Sequence, residues 1–307
     1  MKTFVVTGCN GYIGSHMCYE LRKAYPDCFI VGVDKVERPH LRHLYDAYSP
    51  IDLSCNPLYT SAREVECIFH FAAYISVEEG EHNPWRYYRN NIGATFEAID
   101  FARRYDVKNF IFSSTAAVYG EDKSSLFGHL SEDRPMNPHS VYAKTKAMVE
   151  QVLIDTPEMN TARLRYFNAA GRDVRANLYE EHDPETHLIP LLVKNKKATI
   201  YGNTWATKDG TCIRDYVHVL EICKAIEIAI RKPSCVPGAD TQPFVENLGH
   251  GRGHSVLEMA NMFKLVNNCE FHINYCSRRP GDVESSVLHD VSPYMPDLYT
   301  LSKLMRI

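Results

Sequence analysis

Short apolar runs alternate along the chain with stretches of helical period, and this alternation restricts the choice of fold more than any other feature. We interpret as strands residues 3–6, 28–33, 67–71, 108–113, 161–166 and 244–248, and as helices residues 12–24, 85–104 and 141–154. Parallel strands joined by crossover helices are buried on both faces, so they are continuously apolar. The pattern predicts an α/β fold, a Rossmann-like doubly wound parallel sheet.

The alternation becomes less regular from about residue 172. A polar stretch at 177–186 precedes a predicted helix from Leu188, a short strand at 199–201 and a helix at 255–266. A chain of 307 residues has room for about two domains. We expect a Rossmann domain at 1–171, to which a segment near 212–250 returns, and a smaller interleaved α/β lobe at 172–307.

Composition excludes several classes of protein. With 45% apolar and 23% charged residues, the chain is neither disordered, fibrous nor membrane-spanning. A net charge of −4 offers no basic surface, so we expect no nucleic acid and no membrane as partner. The 10 cysteines include no C-x-x-C pair, and the first residues run directly into a strand. We therefore expect a cytoplasmic protein with reduced cysteines.

A glycine-rich turn follows the first predicted strand. Gly8, Gly11 and Gly14 have a spacing that 16 glycines in 307 residues would produce by chance only about 0.04 times. Glycines here permit a tight turn and a close approach of the backbone to a pyrophosphate at the helix N-terminus. Asp34 ends the second predicted strand, where an acidic side chain binds the ribose hydroxyls of NAD and repels the additional phosphate of NADP. The combination predicts an NAD site.

The spacing Tyr-x-x-x-Lys occurs four times, whereas random order would give about one occurrence. Tyr142 and Lys146 differ from the other pairs by their context. Ser140 can cap a helix there, and a spacing of four places both side chains on one helical face. Thr115 ends a preceding strand, at the sheet edge where α/β proteins bind ligands. We therefore treat Tyr142 and Lys146 as the functional pair.

Tyr142, Lys146 and Thr115 suit proton transfer. A tyrosine of ordinary pKa must lose roughly three pKa units, about 4 kcal/mol, to be half ionised at neutral pH. A nearby lysine ammonium and the positive nicotinamide ring favour the ionised form. The Thr115 hydroxyl can hydrogen-bond the same substrate oxygen. We expect the pKa of Tyr142 to be lowered.

These motifs resemble the extended short-chain dehydrogenase/reductase family. Further runs are similar, over about residues 1–290, to its UDP-glucose (UDP-galactose) 4-epimerase branch; they are residues 71–73, 87–91, 165–168, 209–216 and 279–282. The resemblance implies an enzyme that retains NAD and inverts C4 of a UDP-hexose through a transient 4-keto sugar. It also implies a homodimer built from the helices at 85–104 and 141–154.

The resemblance also implies a role for each matching residue. Catalysis is implied for Tyr142, Lys146 and Thr115. NAD contacts are implied for Gly8, Asn10, Gly11, Tyr12, Ile13, Gly14, Asp34, Asp52, Leu53, Phe71, Ala72, Ala73, Asn91, Ser113, Tyr142, Lys146 and Tyr166. Contacts with the UDP-sugar are implied for Thr115, Asn168, His187, Leu188, Tyr201, Arg214, Tyr216, Arg279 and Asp282. Residues 1–171 would thus bind NAD and residues 172–307 the nucleotide sugar.

The chain departs from the family's usual residues at four positions. Thr115 replaces a more common serine, and its β-branch restricts its rotamers. Ile75 stands where many epimerases have a phosphate-contacting lysine, and His187 stands at a usual asparagine position. Ser286 is small where the family controls sugar size, which leads to the hypothesis that N-acetylhexosamines are accepted as well.

Two other readings of the same scaffold remain open. A nucleotide-sugar 4,6-dehydratase or decarboxylase usually has carboxylates directly after the strand-end hydroxyl, whereas this chain has Ala116 and Ala117. A non-catalytic NAD-binding protein is the second alternative, because fold does not determine function. Such a protein would be expected to have lost Tyr142, Lys146 or the glycines.

The 14 histidines are scattered, without H-E-x-x-H or another paired ligand spacing, so we expect no metal site. His70 lies in an apolar run. We therefore expect it to be a hydrogen-bonded core residue rather than a ligand.

Overall fold

The structure, a computed structural model, describes residues 1–61, 64–120, 129–182, 185, 187–230, 244–293 and 305. The strands are β1 (Thr3–Thr7), β2 (Phe29–Val33), β3 (Ala47–Ser49), β4 (Val65–His70), β5 (Asn109–Thr115), β6 (His129–Leu130), β7 (Asn160–Tyr166), β8 (Asn168–Ala170), β9 (Lys197–Tyr201), β10 (Ile213–His218), β11 (Phe244–Leu248), β12 (Gly253–Ser255), β13 (His272–Cys276) and β14 (Ser285–Leu288). The α-helices are α1 (Tyr12–Ala24), α2 (Val77–His82), α3 (Pro84–Arg104), α4 (Val141–Ile154), α5 (Leu188–Asn195), α6 (Val219–Ile230) and α7 (Val256–Asn267). Every predicted element is present, with ends shifted by no more than two residues.

Seven parallel strands form the central sheet, in the order β11-β7-β5-β4-β1-β2-β3. The chain first builds outward from β1 to β3 and then continues on the other side of β1 with β4. Ligands of open α/β sheets bind at such a reversal, beyond the carboxyl ends of the strands. The predicted Rossmann-like fold is confirmed, and β11 joins this sheet as expected.

Helices cover both faces of the central sheet. Phe4 and Val6 of β1 share one apolar cluster with α1 and α6, while Val5 belongs to the cluster on the opposite face with α3 and α4. This two-sided burial explains why the strand sequences are continuously apolar. It also places the start of α1 and the start of α4 at the same edge of the sheet.

A second region packs beyond that edge. It contains the sheet β12-β10-β14-β6, with β8 paired to β10, and a parallel ribbon of β13 and β9. Helices α5 and α7 share a third apolar cluster, which includes Leu192 and Phe263. Across the described residues, no helix has both the length and the apolar character needed to span a bilayer.

Strand β10 and helix α6 differ from the sequence-based prediction, which had no regular element at these residues. After a loop at 202–212, strand β10 runs beside β8 and β14, and α6 packs on α1 and the central sheet. His70, by contrast, behaves as predicted. It is buried, its two ring nitrogens lie 2.8 and 3.0 Å from the hydroxyls of Thr7 and Thr95, and burial lowers its pKa to about 3.

Candidate active site

The glycine turn between β1 and α1 has no room for side chains. Gly8 has a φ of +69°, and a Cβ atom there would lie 2.8 Å from the backbone nitrogen of Ala72. A Cβ atom on Gly14 would lie 2.1 Å from the carbonyl oxygen of Gly8. Gly11 is the N-cap of α1, so no capping side chain shields the first N–H groups of the helix. The turn therefore fits the pyrophosphate of a dinucleotide such as NAD.

Asp34 follows β2 directly and is oriented by the backbone. Its carboxylate accepts hydrogen bonds from the N–H groups of Asn10 at 3.0 Å and Val36 at 2.9 Å. Burial raises the pKa of Asp34, and these two hydrogen bonds oppose the rise. A carboxylate held in this way has further lone pairs for ribose hydroxyls.

Asp52 lies near Asp34 at the same end of the cavity. Lys35 Nζ is 3.1 Å from its carboxylate and also donates to Tyr74 and Asn90, both at 2.8 Å. Burial alone would raise the pKa of Asp52, but hydrogen bonds from Ser54 and Lys35 lower it. Lys35 thus links three parts of the cavity wall, a role that was not predicted from the sequence.

Helix α4 presents Tyr142 and Lys146 to the cavity. The Ser140 hydroxyl accepts a hydrogen bond from the N–H group of Ala143 at 3.2 Å, so the predicted cap is confirmed. Lys146 Nζ lies 5.9 Å from the centre of the Tyr142 ring and donates to the carbonyl oxygen of Ser113 at 2.6 Å. The end of β5 and the first turns of α4 therefore fix this pair together.

Burial shifts the pKa of both members of the pair. Burial raises the pKa of Tyr142 to about 12, while a hydrogen bond with Thr115 opposes the rise. Burial also lowers the pKa of Lys146, which is 3% exposed, to about 7, although Glu150 favours its charged form. The lowered pKa expected for Tyr142 relied on the nicotinamide charge as well as on Lys146, so it stays a prediction for the NAD-bound protein; in the protein alone, loss of water disfavours the phenolate.

A buried polar network that sequence reasoning missed lies behind α4. Glu150 accepts hydrogen bonds from Arg165 and from Ser114, the residue before Thr115. Arg165 also donates to the Tyr119 hydroxyl at 2.6 Å. The available signal was the position of Glu150, four residues after Lys146 and so on the same helical face.

Two arginines and an aspartate lie at the other end of the cavity. Arg279 Nε donates to Asp282 at 2.9 Å, and an Arg214 Nη atom lies 4.0 Å from the same carboxylate. The Arg279 guanidinium lies 4.4 Å from the centre of the Tyr201 ring. Burial lowers the pKa of Arg279, but the charge of Asp282 overcomes this effect and raises it. Such paired guanidinium groups suit a diphosphate.

One cavity of about 980 Å³ joins these groups. The predicted site residues that line it are Gly8, Asn10, Gly11, Tyr12, Ile13, Gly14, Asp34, Asp52, Leu53, Phe71, Ala72, Ala73, Ser113, Thr115, Tyr142, Lys146, Tyr166, Asn168, His187, Leu188, Arg214, Tyr216, Arg279 and Asp282. Among the described residues predicted for the site, only Asn91 and Tyr201 do not line it. Asn91 is buried and bonds to the backbone of Tyr74 at 2.8 and 3.1 Å.

The cavity wall contains further residues that were not predicted. Glu180 and His182 line it beside His187, and the available signal was the H-x-x-E-x-H pattern at 182–187. Ile75 and Ser286, which depart from the usual residues of the family, also line the cavity. The structure therefore places the unusual residues of this chain in the same cavity as the common ones.

Comparisons with known proteins agree with this geometry. UDP-glucose 4-epimerase of Rhizobium leguminosarum bv. trifolii is 34% identical to this chain over 99% of the chain and 95% of the relative. UDP-glucose 4-epimerase of Bacillus subtilis is also 34% identical, over 91% of the chain and 86% of the relative.

Solved structures give the same result. UDP-glucose 4-epimerase of Bifidobacterium longum in complex with NAD⁺ and UDP superimposes with a TM-score of 0.85 at 27% identity, covering 99% of this chain and 96% of that one. The UDP-Glc/GlcNAc 4-epimerase of Campylobacter jejuni has a TM-score of 0.73 at 29% identity, with 99% and 98% covered. Residues 4–241 match the NAD dependent epimerase/dehydratase family. The chain belongs to this NAD dependent epimerase/dehydratase family.

Proposed function

We propose that the protein is a UDP-glucose 4-epimerase, an enzyme that uses NAD to invert C4 of a UDP-hexose and so interconverts UDP-galactose and UDP-glucose. The observation that carries the proposal is the meeting of Tyr142, Thr115 and Lys146 in one cavity with a glycine turn at one end and paired arginines at the other. The UDP-glucose 4-epimerases that are 34% identical over nearly the whole chain support the same substrate.

The two ends of the cavity bind two different molecules, NAD and the nucleotide sugar. Residues 1–171 hold NAD, with the pyrophosphate on the glycine turn and a ribose on Asp34. Residues 172–307 hold the nucleotide sugar, with the diphosphate on Arg214 and Arg279. Tyr201 stacks on the uracil only after a shift, since Arg279 covers its ring at 4.4 Å.

Tyr142 moves the proton in this reaction. Its Oη accepts the proton of the 4-hydroxyl group and returns it after the 4-keto sugar has turned over in the cavity. When bound, NAD would accept a hydride from C4 of the sugar and give it back to the opposite face of the 4-keto sugar, and its positive ring would favour the ionised phenol. The Thr115 hydroxyl holds the Tyr142 phenol and the substrate oxygen together, and Lys146, one helical turn away, adds a second positive charge in its protonated form.

The residues of the cavity fit the two alternative functions less well. A 4,6-dehydratase must eliminate water with an acid and a base close to the sugar. Ala116 and Ala117 occupy the cavity wall directly after Thr115, and neither side chain can transfer a proton. A non-catalytic NAD-binding protein has no use for a buried lysine whose desolvation is costly.

Incubation of the NAD-bound protein with UDP-galactose tests the proposal. We expect UDP-glucose to accumulate until equilibrium, together with a small absorbance from reduced nicotinamide during turnover. Loss of water from the sugar would instead indicate a dehydratase. No change in the sugar would indicate a binding protein, and either result would overturn the proposal.

Three finer features belong to the same proposal. The enzyme also accepts UDP-N-acetylhexosamines, which the small Ser286 in the cavity supports. It forms a homodimer through α3 and α4, which the exposed Trp85, Phe96 and Met148 on these helices support. It works in the cytoplasm, which is supported by the free thiol state of all the cysteines that the structure describes.

A further inference from the structure

Four potential metal ligands converge between β8 and α5. They are Glu180, His182, Glu185 and His187, which we call the Glu/His cluster. The carboxylate side chains of Glu180 and Glu185 are only 8% and 7% exposed. His187 is the N-cap residue of α5, and ligand atoms of Glu180, His182 and His187 all lie within 4.8 Å of one another. None of these groups takes part in the proton transfer described above.

Distances within the Glu/His cluster suit a shared ion better than hydrogen bonds. Nδ1 of His182 lies 3.7 Å from Oε1 of Glu180 and 3.5 Å from Oε1 of Glu185, and Nδ1 of His187 lies 4.0 Å from Oε1 of Glu185. These three separations exceed the usual hydrogen-bond length of about 2.7–3.2 Å. Two ligands of a tetrahedral ion with bonds of about 2.0–2.1 Å lie about 3.4 Å apart. The side chains of Glu180 and His187 form a hydrogen bond of 2.5 Å, and the Glu185 carboxylate accepts hydrogen bonds from the backbone N–H groups of His182 at 3.1 Å and His187 at 2.9 Å.

His182 provides a second, independent observation. Its Nδ1 atom is buried and has no hydrogen-bond partner among the atoms that the structure describes. A buried ring nitrogen that lies 3.7 and 3.5 Å from two carboxylate oxygens is in the position of a metal ligand. Leaving such a buried polar atom unsatisfied is unfavourable.

The charge of the Glu/His cluster points the same way, and this step rests on the proposed function. Glu180, His182 and His187 line the cavity that receives a diphosphate. The Glu180 carboxylate in the cavity wall repels a diphosphate, and the charges of Glu180 and of Glu185, which lies outside the lining, are expensive to bury. A divalent cation between Glu180 and Glu185 removes both penalties.

We propose that Glu180, His182, Glu185 and His187 bind one Zn²⁺ ion. Imidazole nitrogens and carboxylate oxygens at tetrahedral spacing are a ligand set of zinc. Four protein ligands leave no open position, so the ion is structural. It joins the segment after β8 to the first residues of α5, and it thereby fixes the wall of the cavity where His187 and Leu188 face the nucleotide sugar.

Zinc and NAD contents of the untagged, NAD-bound protein test the site directly. After dialysis against a weak chelator, we expect about one zinc per chain. His182→Gln and Glu180→Gln should each weaken zinc binding by at least the roughly 10- to 100-fold that loss of an outer-shell partner costs. His289→Gln is the matched control, because His289 is an exposed histidine that lies 2.8 Å from Asp290, outside the cluster.

Two further measurements do not depend on measuring the metal content. A strong chelator should lower the melting temperature of the wild type and of His289→Gln, but not that of His182→Gln. Protein reloaded with Co²⁺ should show the intense visible absorption of a tetrahedral site. The proposal is overturned if the wild type neither retains zinc nor takes up added zinc stoichiometrically. Sugar conversion is assayed on the same samples, so zinc without epimerisation would contradict the proposed function and leave the metal site intact.

Discussion

Glu150 and Arg165 form a two-pronged ion pair behind the wall of the cavity. Arg165 donates from Nε and Nη2 to the two carboxylate oxygens of Glu150 at 2.9 and 2.7 Å. The side chain of Glu150 is 0% exposed and that of Arg165 is 5% exposed. Because Glu150 lies on α4 and Arg165 on β7, the pair holds the helix that carries Tyr142 and Lys146 against the central sheet.

Glu150→Gln should destabilise the protein strongly. The substitution leaves the buried guanidinium of Arg165 without its counter-charge, and breaking a buried pair in this way costs about 3–5 kcal/mol. We expect the free energy of unfolding to fall by that amount in urea titrations at neutral pH.

Glu66→Gln is the control for this change. It removes the partner of Lys2 in a solvent-exposed pair at 2.9 Å, which should cost at most about 1 kcal/mol. Equal effects of Glu150→Gln and Glu66→Gln would show that the buried pair does not stabilise α4.

Tyr142→Phe should abolish most of the turnover without releasing NAD. Loss of a positioned general acid or base costs about 10²–10⁴-fold in rate, whereas the ring still fills its place in the wall. Initial rates with UDP-galactose and the NAD content per chain measure the two effects separately. Tyr19→Phe is the matched control, since Lys23 Nζ lies 5.4 Å from the Tyr19 ring but neither residue lines the cavity. Full turnover by Tyr142→Phe would contradict the assigned proton transfer.

Lys146 should make stability depend on pH. Its pKa is about 7 in the folded protein and 10.5 in the unfolded chain. Between these values the unfolded chain binds the proton and the folded protein does not, so the free energy of unfolding rises with pH from about 7 to about 10.5. Between these two pH values the free energy of unfolding rises by about 5 kcal/mol in total.

A comparison with Lys146→Met isolates this effect. The stability of the wild type relative to Lys146→Met should increase as the pH is raised from 7 to 10, measured by urea unfolding at fixed NAD concentration. Lys144 occupies a partly exposed position on the same helix. The difference in the free energy of unfolding between the wild type and Lys144→Met should therefore hardly change with pH. If the difference between the wild type and Lys146→Met were also independent of pH, the buried lysine would have its ordinary pKa.

The sequence predicts the central sheet well and the second region poorly. Residues such as Phe4, Val5 and Val6 are apolar whichever face of β1 they occupy, so their burial can be recognised locally. Strand β10 contains Asp215, which is buried because the N–H groups of His250 and Gly251 donate to its carboxylate at 3.1 and 2.8 Å. His250 and Gly251 lie far from Asp215 in the sequence, so the residues around Asp215 do not predict these hydrogen bonds.

The same distinction applies to the site. Tyr142, Lys146 and Thr115 could be predicted because a capped helix and a neighbouring strand end fix their positions. The direction of the Tyr142 pKa shift in the protein alone could not, since it depends on how much water the whole wall excludes. The Glu/His cluster was not predicted because the spacing of its residues matches neither a helix nor a strand.

Gly14→Ala should prevent NAD retention. The added methyl group would lie 2.1 Å from the carbonyl oxygen of Gly8, so the turn and α1 must separate. We expect little NAD per chain after gel filtration, together with a lower melting temperature. Gly93→Ala in α3 is the control, because its Cβ would approach Ser54 no closer than 3.4 Å and alanine favours a helix. Normal NAD content in Gly14→Ala would show that the turn does not hold the cofactor.

Ser286→Tyr should narrow the range of sugars. Ser286 lines the cavity and is paired in β14 with Arg214 of β10, at the end assigned to the nucleotide sugar. A bulky ring there should exclude an N-acetyl group, so kcat/KM for UDP-N-acetylglucosamine should fall at least about 100-fold more than that for UDP-galactose. Ser286→Ala keeps the space open and should convert both sugars as the wild type does. If the wild type does not convert UDP-N-acetylglucosamine, or if Ser286→Tyr leaves the ratio of the two rates unchanged, the size of residue 286 does not set the sugar range.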